Sequence, residues 1–455
     1  MPATVATPTS TVPEASGGAL LPVTGADLQV PVVTGGTVRY ANLDYAASAP
    51  ALQAVADHVA EVLPYYASVH RGAGYASQAS TALYESTRAV VAGFVAARPD
   101  DVVVITRNTT DALNLLARSV PDGGEVLYLD VEHHANLLPW AAGPHRCLPA
   151  APTLAQTLTR LDDALRGRPA ALVAVTAASN VTGEVVPVAD VVAIAHAHGA
   201  RVVVDGAQYV PHRRIDLTAC GADYLAFSGH KLYAPFGAGV LVGRRDWLDA
   251  APAHLAGGGA VRQVRVDGAD WAPAPQRHEG GTPNVLGAAA LAQACRSLAA
   301  LPDGALQGHE TALVDRLVAG LTALPGVELL RIWPDSTARV GVVGFTVAGR
   351  DPGRVAAYLS AEHGIGVRDG SFCAHPLLAR LGHCGGALRA SVGAGSTAQD
   401  VDRLVAALDL LADQGEDWSY ALEAGRWQPS PDPRPIVGWL DPASDPAAGT
   451  SPCES

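Results

Sequence analysis

Apolar residues along this chain gather into short unbroken runs, separated by stretches with a helical repeat. Val102-Val103-Val104-Ile105 is one such run, and others lie at 125–129, 171–176, 201–205, 223–227 and 238–242. Runs of this length without alternation mark strands buried on both faces. The spacing predicts helices at 51–63 and 78–97 before the first run, and at 110–118 and most clearly 187–198 between later ones. Alternating strands and helices predict an α/β fold, with a mainly parallel sheet covered by helices on both sides. After about residue 300 the pattern changes. A helix near 305–323, strands near 327–332 and 340–347, and helices near 352–363 and 397–413 predict a smaller C-terminal α+β domain.

The expected organisation is therefore a leader over 1–30, a large domain over 31–300, a small domain over 301–415 and an irregular tail over 416–455. The start of the large domain can join the small lobe. The leader is rich in Ala, Thr, Pro and Gly without periodic hydrophobicity, which predicts mobility. The tail carries Pro429, Pro431, Pro433 and Pro435. No internal repeat is present.

Composition narrows the function classes. Of 455 residues, 49% are apolar and 16% charged, enough to bury a large core. The net charge of −13 argues against nucleic acid or an anionic membrane as the main partner. Cysteines 147, 220, 295, 373, 384 and 453 are scattered without a CxxC pair, as expected for reduced thiols in the cytoplasm. No run reaches the roughly 18 apolar residues of a membrane helix. The first 38 residues hold no Lys or Arg, so a secretory n-region is not expected.

The chemistry centres on Lys231, the only lysine in the chain. It lies in Ser228-Gly229-His230-Lys231, a polar turn between the runs 223–227 and 238–242. Arginine stays protonated at working pH, whereas a partly buried lysine can lose its proton and attack a carbonyl to form a Schiff base. A leftover surface lysine is the plain alternative, and the setting disfavours it. Asp205 ends the run 201–205, where an α/β sheet presents its ligands, and precedes Lys231 by 26 residues. On its own it reads as a turn residue. Paired with the lysine, it suits the ring nitrogen of pyridoxal 5′-phosphate, because a protonated pyridinium is the better electron sink.

Five further stretches carry candidate residues, three of them after strand ends. Asn108-Thr109-Thr110-Asp111 opens a helix and offers N–H groups and hydroxyls to a phosphate, or serves as an ordinary cap. In Glu132-His133-His134, His133 is placed to stack on a cofactor ring and relay protons. The adjacent histidines make a poor metal site, so no metal is expected. Asn180 sits in a turn-forming segment. Arg389, inside an apolar run, needs a carboxylate from the protein or a substrate. Cys373 lies in a short loop between Gly370 and Pro376, where a thiol is accessible, although sequence alone does not set it above the other cysteines.

Taken together, NLDYAASAP, SVHRGAGYASQAS, ITRNTTDALN, VEHHANLLPW, SNVTGEVVPV, VVVDGAQYVPH, FSGHKLYAPFGAGVLVG, EGGTPNVLG, VRDGSFCAHPLL and LRASVG resemble the class V aminotransferase family of fold-type I pyridoxal-phosphate enzymes. The nearest resemblance is to its group II cysteine desulfurase and selenocysteine lyase branch. It runs from about Leu43 to about Leu411. It implies that Lys231 carries the cofactor and transfers protons, that Asp205 faces the pyridinium nitrogen and Gln208 the ring hydroxyl, and that His133 stacks on the ring. Thr109, Thr110, Ser228 and His230 would hold the phosphate. Thr282 would reach the phosphate of a neighbouring subunit, implying a homodimer with shared sites. Asn180 and Arg389 would bind the substrate carboxylate. Cys373 would take sulfur from L-cysteine as a persulfide, releasing alanine and passing the sulfur to an acceptor thiol or protein.

The chain departs from the family pattern in two places. The usual His-Cys loop reads Ser371-Phe372-Cys373, with His375 two residues downstream, and the run after Arg389 is Gly393-Ala394-Gly395-Ser396-Thr397 rather than Tyr-Asn-Thr. Another reaction on the same scaffold stays open from sequence: carbon–sulfur or selenocysteine lyase, epimerase, or aminotransferase. So does a catalytically silent binding protein with this fold.

Overall fold

The computed structural model describes residues 17–70 and 72–435. The first 16 residues of the expected leader and the last 20 of the expected tail lie outside them.

The buried runs assemble into one seven-stranded sheet. Its spatial order is Val102–Thr106, Gly239–Gly243, Tyr224–Ser228, Arg201–Asp205, Leu172–Thr176, Val126–Leu129, His145–Leu148. Five of these strands run parallel, from Tyr224–Ser228 outward to His145–Leu148. Gly239–Gly243 is antiparallel to both its neighbours. Side chains alternate between two cores. Val173, Val175, Val202, Val204, Leu225 and Phe227 point into one, and Leu172, Ala174, Val203, Tyr224 and Ala226 into the other. With both faces covered there is no polar side to alternate with, which is why each strand reads as a continuous apolar run.

On one side lie Gln53–Val62, Tyr75–Phe94 and the helix Val285–Ala299, ten of whose residues are buried. That last helix has no clear apolar stripe, because alanine lets neighbours approach from several sides. The strand His145–Leu148 and the helix Leu154–Gly167 are also additions to the predicted elements.

The small domain is a four-stranded antiparallel sheet ordered Val327–Leu329, Val342–Val347, Ala387–Ser391, Arg368–Gly370. Ala305–Ala323, Pro352–His363 and Ala398–Asp413 pack on it through Leu317, Leu321, Leu359, Leu404 and Leu408. Ala41–Asn42 pairs in parallel with Ile365–Gly366.

Both flanks are more ordered than their composition suggests. Ala398 N–H bonds to Gly17, Leu20 and Leu21 N–H bond to Ala394, and Gln29–Pro31 pairs with Thr37–Arg39. The expected leader is thus tied down from residue 17 by backbone bonds that composition does not report. After the last helix, Tyr420–Glu423 and Arg426–Pro429 form a hairpin. The buried Glu362 carboxylate anchors its start, accepting from Asp417 N–H (3.1 Å), Trp418 N–H (3.2 Å) and Tyr420 O–H (2.8 Å). No helix among the described residues is long and apolar enough to cross a membrane.

Candidate active site

The parallel strands end on one edge of the sheet, and a cavity of about 390 Å³ opens there. Thr176, Asp205 and Ser228 are the last residues of three strands, and His133 and Asn108 follow two others. This is the edge at which open α/β sheets place their ligands. Lys231 and Cys373 line the same cavity, with Arg389 and Arg368 from the small domain.

Lys231 sits half-buried on the turn after Tyr224–Ser228. Loss of hydration pushes its pKa down to about 8; Asp205 pulls it up and Arg389 pushes it further down. Asp205 lies beneath, 3% exposed, its Oδ1 accepting from Ala207 N–H at 2.9 Å. Burial raises the Asp205 pKa, against the pull of that hydrogen bond and of Lys231. His133 is held neutral, with its pKa lowered to about 3 by burial and then by the charge of Lys231. Its Nδ1 accepts from Ala135 N–H at 3.0 Å, so the ring proton is on Nε2.

The end of the cavity near Asn108 is a cradle of donors. Asn108 caps the helix Thr109–Ala117, accepting from Asp111 N–H at 2.9 Å. Thr109 donates its N–H to Ser228 Oγ at 2.8 Å, and the two hydroxyls lie 2.7 Å apart. Thr110 is exposed toward the opening, and His230 stands beside it with a pKa lowered to about 4 by burial, then by Lys231. Gly239 makes this approach feasible, since a Cβ there would lie 2.6 Å from Asn108 Cα.

Across the cavity, Arg389 is 3% exposed, and burial lowers its pKa. Its guanidinium donates to Asp44 (3.0 Å) and to the Asn180 carbonyl (2.9 Å) and lies over the Phe372 ring at 5.2 Å. Its Nε is buried with no partner among the described residues. Asn180 Nδ2 donates to Phe372 O at 2.8 Å, so this side chain holds the Cys373 loop as well as lining the cavity. Phe372 and Cys373 both have φ of 53°, a left-handed backbone rare for non-glycine residues.

The expected set thus converges: Thr109, Thr110, His133, Asn180, Asp205, Gln208, Ser228, His230, Lys231, Cys373 and Arg389 all line one cavity. Thr282 does not. It is exposed beside a separate recess with His70, Tyr84 and Glu279.

The aminotransferase class-V family model matches residues 41–404. The cysteine desulfurase of Dickeya dadantii is 39% identical over 385 residues, covering 81% of this chain and 91% of that protein. A probable cysteine desulfurase of Vibrio cholerae is 35% identical, covering 84% and 95%. The chain belongs to the class V aminotransferase family. Among solved structures, the apo cysteine desulfurase of Thermococcus onnurineus superposes with a TM-score of 0.75 at 33% identity, covering 82% of this chain and 94% of that one. The cysteine desulfurase CsdA of Escherichia coli, in an S-sulfonic acid form, gives 0.73 at 35%, covering 82% and 95%.

Pyridoxal phosphate is the cofactor of this family, and the residues present fit it. Gln208 Nε2 is tied to Ala46 O at 2.7 Å, while its Oε1 is buried without a partner among the described residues, an acceptor left for a hydroxyl. The buried Asp205, the neutral-prone Lys231 and the cradle of donors match a ring nitrogen, an aldehyde and a phosphate.

Sequence reasoning missed Asp44, the carboxylate that Arg389 requires, because it lies 345 residues away and approaches from the N-terminal segment. It also missed Glu132, 0% exposed with Oε1 lacking a hydrogen-bond partner among the described residues; burial pushes its pKa well above the usual carboxylate range.

Proposed function

We propose that this chain is a pyridoxal-phosphate-dependent cysteine desulfurase that converts L-cysteine to L-alanine and leaves the sulfur as a persulfide on Cys373. The convergence of Lys231, Asp205, Arg389 and Cys373 on one cavity carries the reading. When bound, the cofactor supplies an electron sink for the substrate's α-carbon.

The residues supply the rest. Thr109, Thr110, Ser228 and His230 hold the phosphate, Asp205 keeps the ring nitrogen protonated, Gln208 meets the ring hydroxyl and His133 stacks on the ring. The unpartnered Arg389 Nε receives the substrate carboxylate, and Asp44 keeps the guanidinium fixed and charged while it waits. Lys231, with a pKa near neutrality, takes the α-proton at Nζ and later returns a proton. Cys373 is close enough for its thiolate charge to raise the pKa of both Lys231 and Arg389. The same two cations favour the thiolate, the nucleophilic form. Its sulfur attacks the substrate sulfur, the carbon–sulfur bond breaks, and an acceptor thiol later takes the terminal sulfur.

A homodimer is part of the reading. Tyr65, Tyr66 and Tyr75 are 49%, 52% and 78% exposed around one recess with Leu83 and Val285, apolar surface of the kind a subunit contact covers. Thr282, outside its own chain's cavity, would then serve the partner's phosphate. A cytoplasmic location is part of the same reading, from cysteines scattered through the sequence without a CxxC pair.

The test is alanine release from L-cysteine with a reducing thiol, wild type against Cys373→Ala. Loss of at least about a hundredfold with the cofactor still bound is expected. Alanine release at the wild-type rate by the variant, or no cysteine turnover by the cofactor-loaded wild type, overturns the proposal.

A further inference from the structure

Two successive left-handed residues persist only where the surroundings fix them. Around Phe372 and Cys373, three bonds do so from the cavity side. Asn180 Nδ2 donates to Phe372 O at 2.8 Å, Ala374 N–H to Ser371 O at 2.9 Å, and His134 N–H to Cys373 O at 2.9 Å.

The remaining grip comes from a histidine pair. The rings of His134 and His375 stack with centroids 4.8 Å apart and 19° between planes. His375 Nδ1 lies 3.0 Å from His134 Nε2, and the His375 backbone N–H reaches the same Nε2 at 3.3 Å. A backbone N–H can only donate, so Nε2 of His134 is the acceptor. The His134 proton therefore sits on Nδ1, and His375 presents Nδ1–H. His134 thus holds the tripeptide Cys373-Ala374-His375 at both ends, through its own N–H and through Nε2.

We propose that His134 and His375 are positioning residues, a clamp that holds Cys373 in its left-handed turn at the cavity and stays closed only while His134 Nε2 is unprotonated. The inference extends the reading of Cys373 as the sulfur acceptor.

The pH dependence follows from the surroundings. His134 lies between the His375 ring and the His133 ring, the latter at 6.2 Å, with Lys231 and Arg389 acting on His133 from behind. Glu132, next to His133 in sequence, has its pKa pushed well up by burial, and Arg380 at the end of the helix His375–Arg380 is paired with Asp130 at 3.2 Å. Burial and the charge of His375 lower the His134 pKa. As pH falls through that lowered value, Nε2 gains a proton and both bonds to it are lost.

The experiment is iodoacetamide labelling of Cys373 in the cofactor-loaded full chain, read by peptide mass from pH 5 to 8. Wild type is compared with His375→Ala, His375→Asn and His134→Gln. Asparagine keeps an N–H donor where Nδ1 stood, and glutamine keeps an acceptor where Nε2 stood but cannot titrate. At pH 7.5, His375→Ala should label roughly tenfold faster than wild type, with His375→Asn within about twofold of wild type. The ratio of His375→Ala to wild type should shrink toward one as pH falls below the ordinary imidazole range, while His134→Gln stays protected. For cysteine turnover, His375→Ala should lower kcat and leave KM in place. Equal labelling of wild type and His375→Ala at pH 7.5, or His375→Asn labelling as fast as His375→Ala, overturns the clamp. Alanine release by Cys373→Ala at the wild-type rate would remove the sulfur-acceptor reading and leave these labelling ratios, and the clamp, standing.

Discussion

Lys231 has to be a neutral amine to capture an aldehyde, so the rate at which apoprotein takes up pyridoxal phosphate reports its protonation state. With a pKa of about 8, roughly a tenth of the side chains are neutral at pH 7, against about 0.03% for an ordinary lysine. That difference is about 300-fold in reactive amine at the same pH. The displacement has one dominant cause, loss of hydration, with Asp205 opposing it and Arg389 adding to it. Uptake, followed by visible absorbance with cofactor in excess, should rise about tenfold per pH unit below 8 and level off above it. The sign of each neighbour can be checked. Asp205→Asn removes an anion that favours the ammonium, so the plateau should begin at lower pH. Arg389→Leu removes a competing cation, so it should begin at higher pH. A rate still climbing tenfold per unit at pH 10 would place Lys231 at its ordinary value and refute the reasoning.

Two packing predictions bear on the same cavity. Gly239→Ala puts a Cβ 2.6 Å from Asn108 Cα and 2.9 Å from Phe227 O, backbone atoms that cannot swing aside. Overpacking of about 1–3 kcal/mol should weaken cofactor affinity roughly ten- to a hundredfold, measured by equilibrium dialysis. Gly393→Ala puts a Cβ 2.5 Å from Tyr45 Cδ1 and 2.6 Å from the Tyr233 hydroxyl, and should cost about 1–3 kcal/mol in urea unfolding. Adding Tyr45→Ala should recover part of that loss; additivity within about 0.5 kcal/mol would show that the contact is not limiting.

Much of the large domain was legible because its chemistry sits at strand ends. Val202-Val203-Val204-Asp205 shows both the buried strand and the point where it meets the cavity, and Lys231 is set apart by being the only lysine. The small domain was less legible. Arg368–Gly370 is three residues long and carries an exposed arginine, so no hydrophobic run announces it. Asp44 and Glu362 act on partners far along the chain or through the backbone, and neither relation leaves a local pattern. The order in residues 17–24 was hidden for the same reason, since it comes from carbonyls at Gly17 and Ala394 rather than from apolar spacing.

The two departures from the family pattern gain a physical reading once neighbours are in view. Gly393 and Gly395 look like a weakened loop in sequence, yet each faces a tyrosine ring or hydroxyl that leaves no room for a side chain. Tyr45 and Tyr233 are 5% and 1% exposed and meet edge to face at 6.2 Å. Ala394 N–H donates to the Tyr233 hydroxyl at 2.9 Å, and Leu20 and Leu21 cover the same turn. The space beside Gly393 and Gly395 is filled by Tyr45, Tyr233 and Val23. In the thiol loop, the proposed clamp draws one imidazole from His375, two residues beyond Cys373, and the other from His134. Glycine at 393 and 395 is required by the packing of Tyr45, Tyr233 and Val23 against the turn after Arg389, so this run is a close-packed corner of the small domain rather than an open loop.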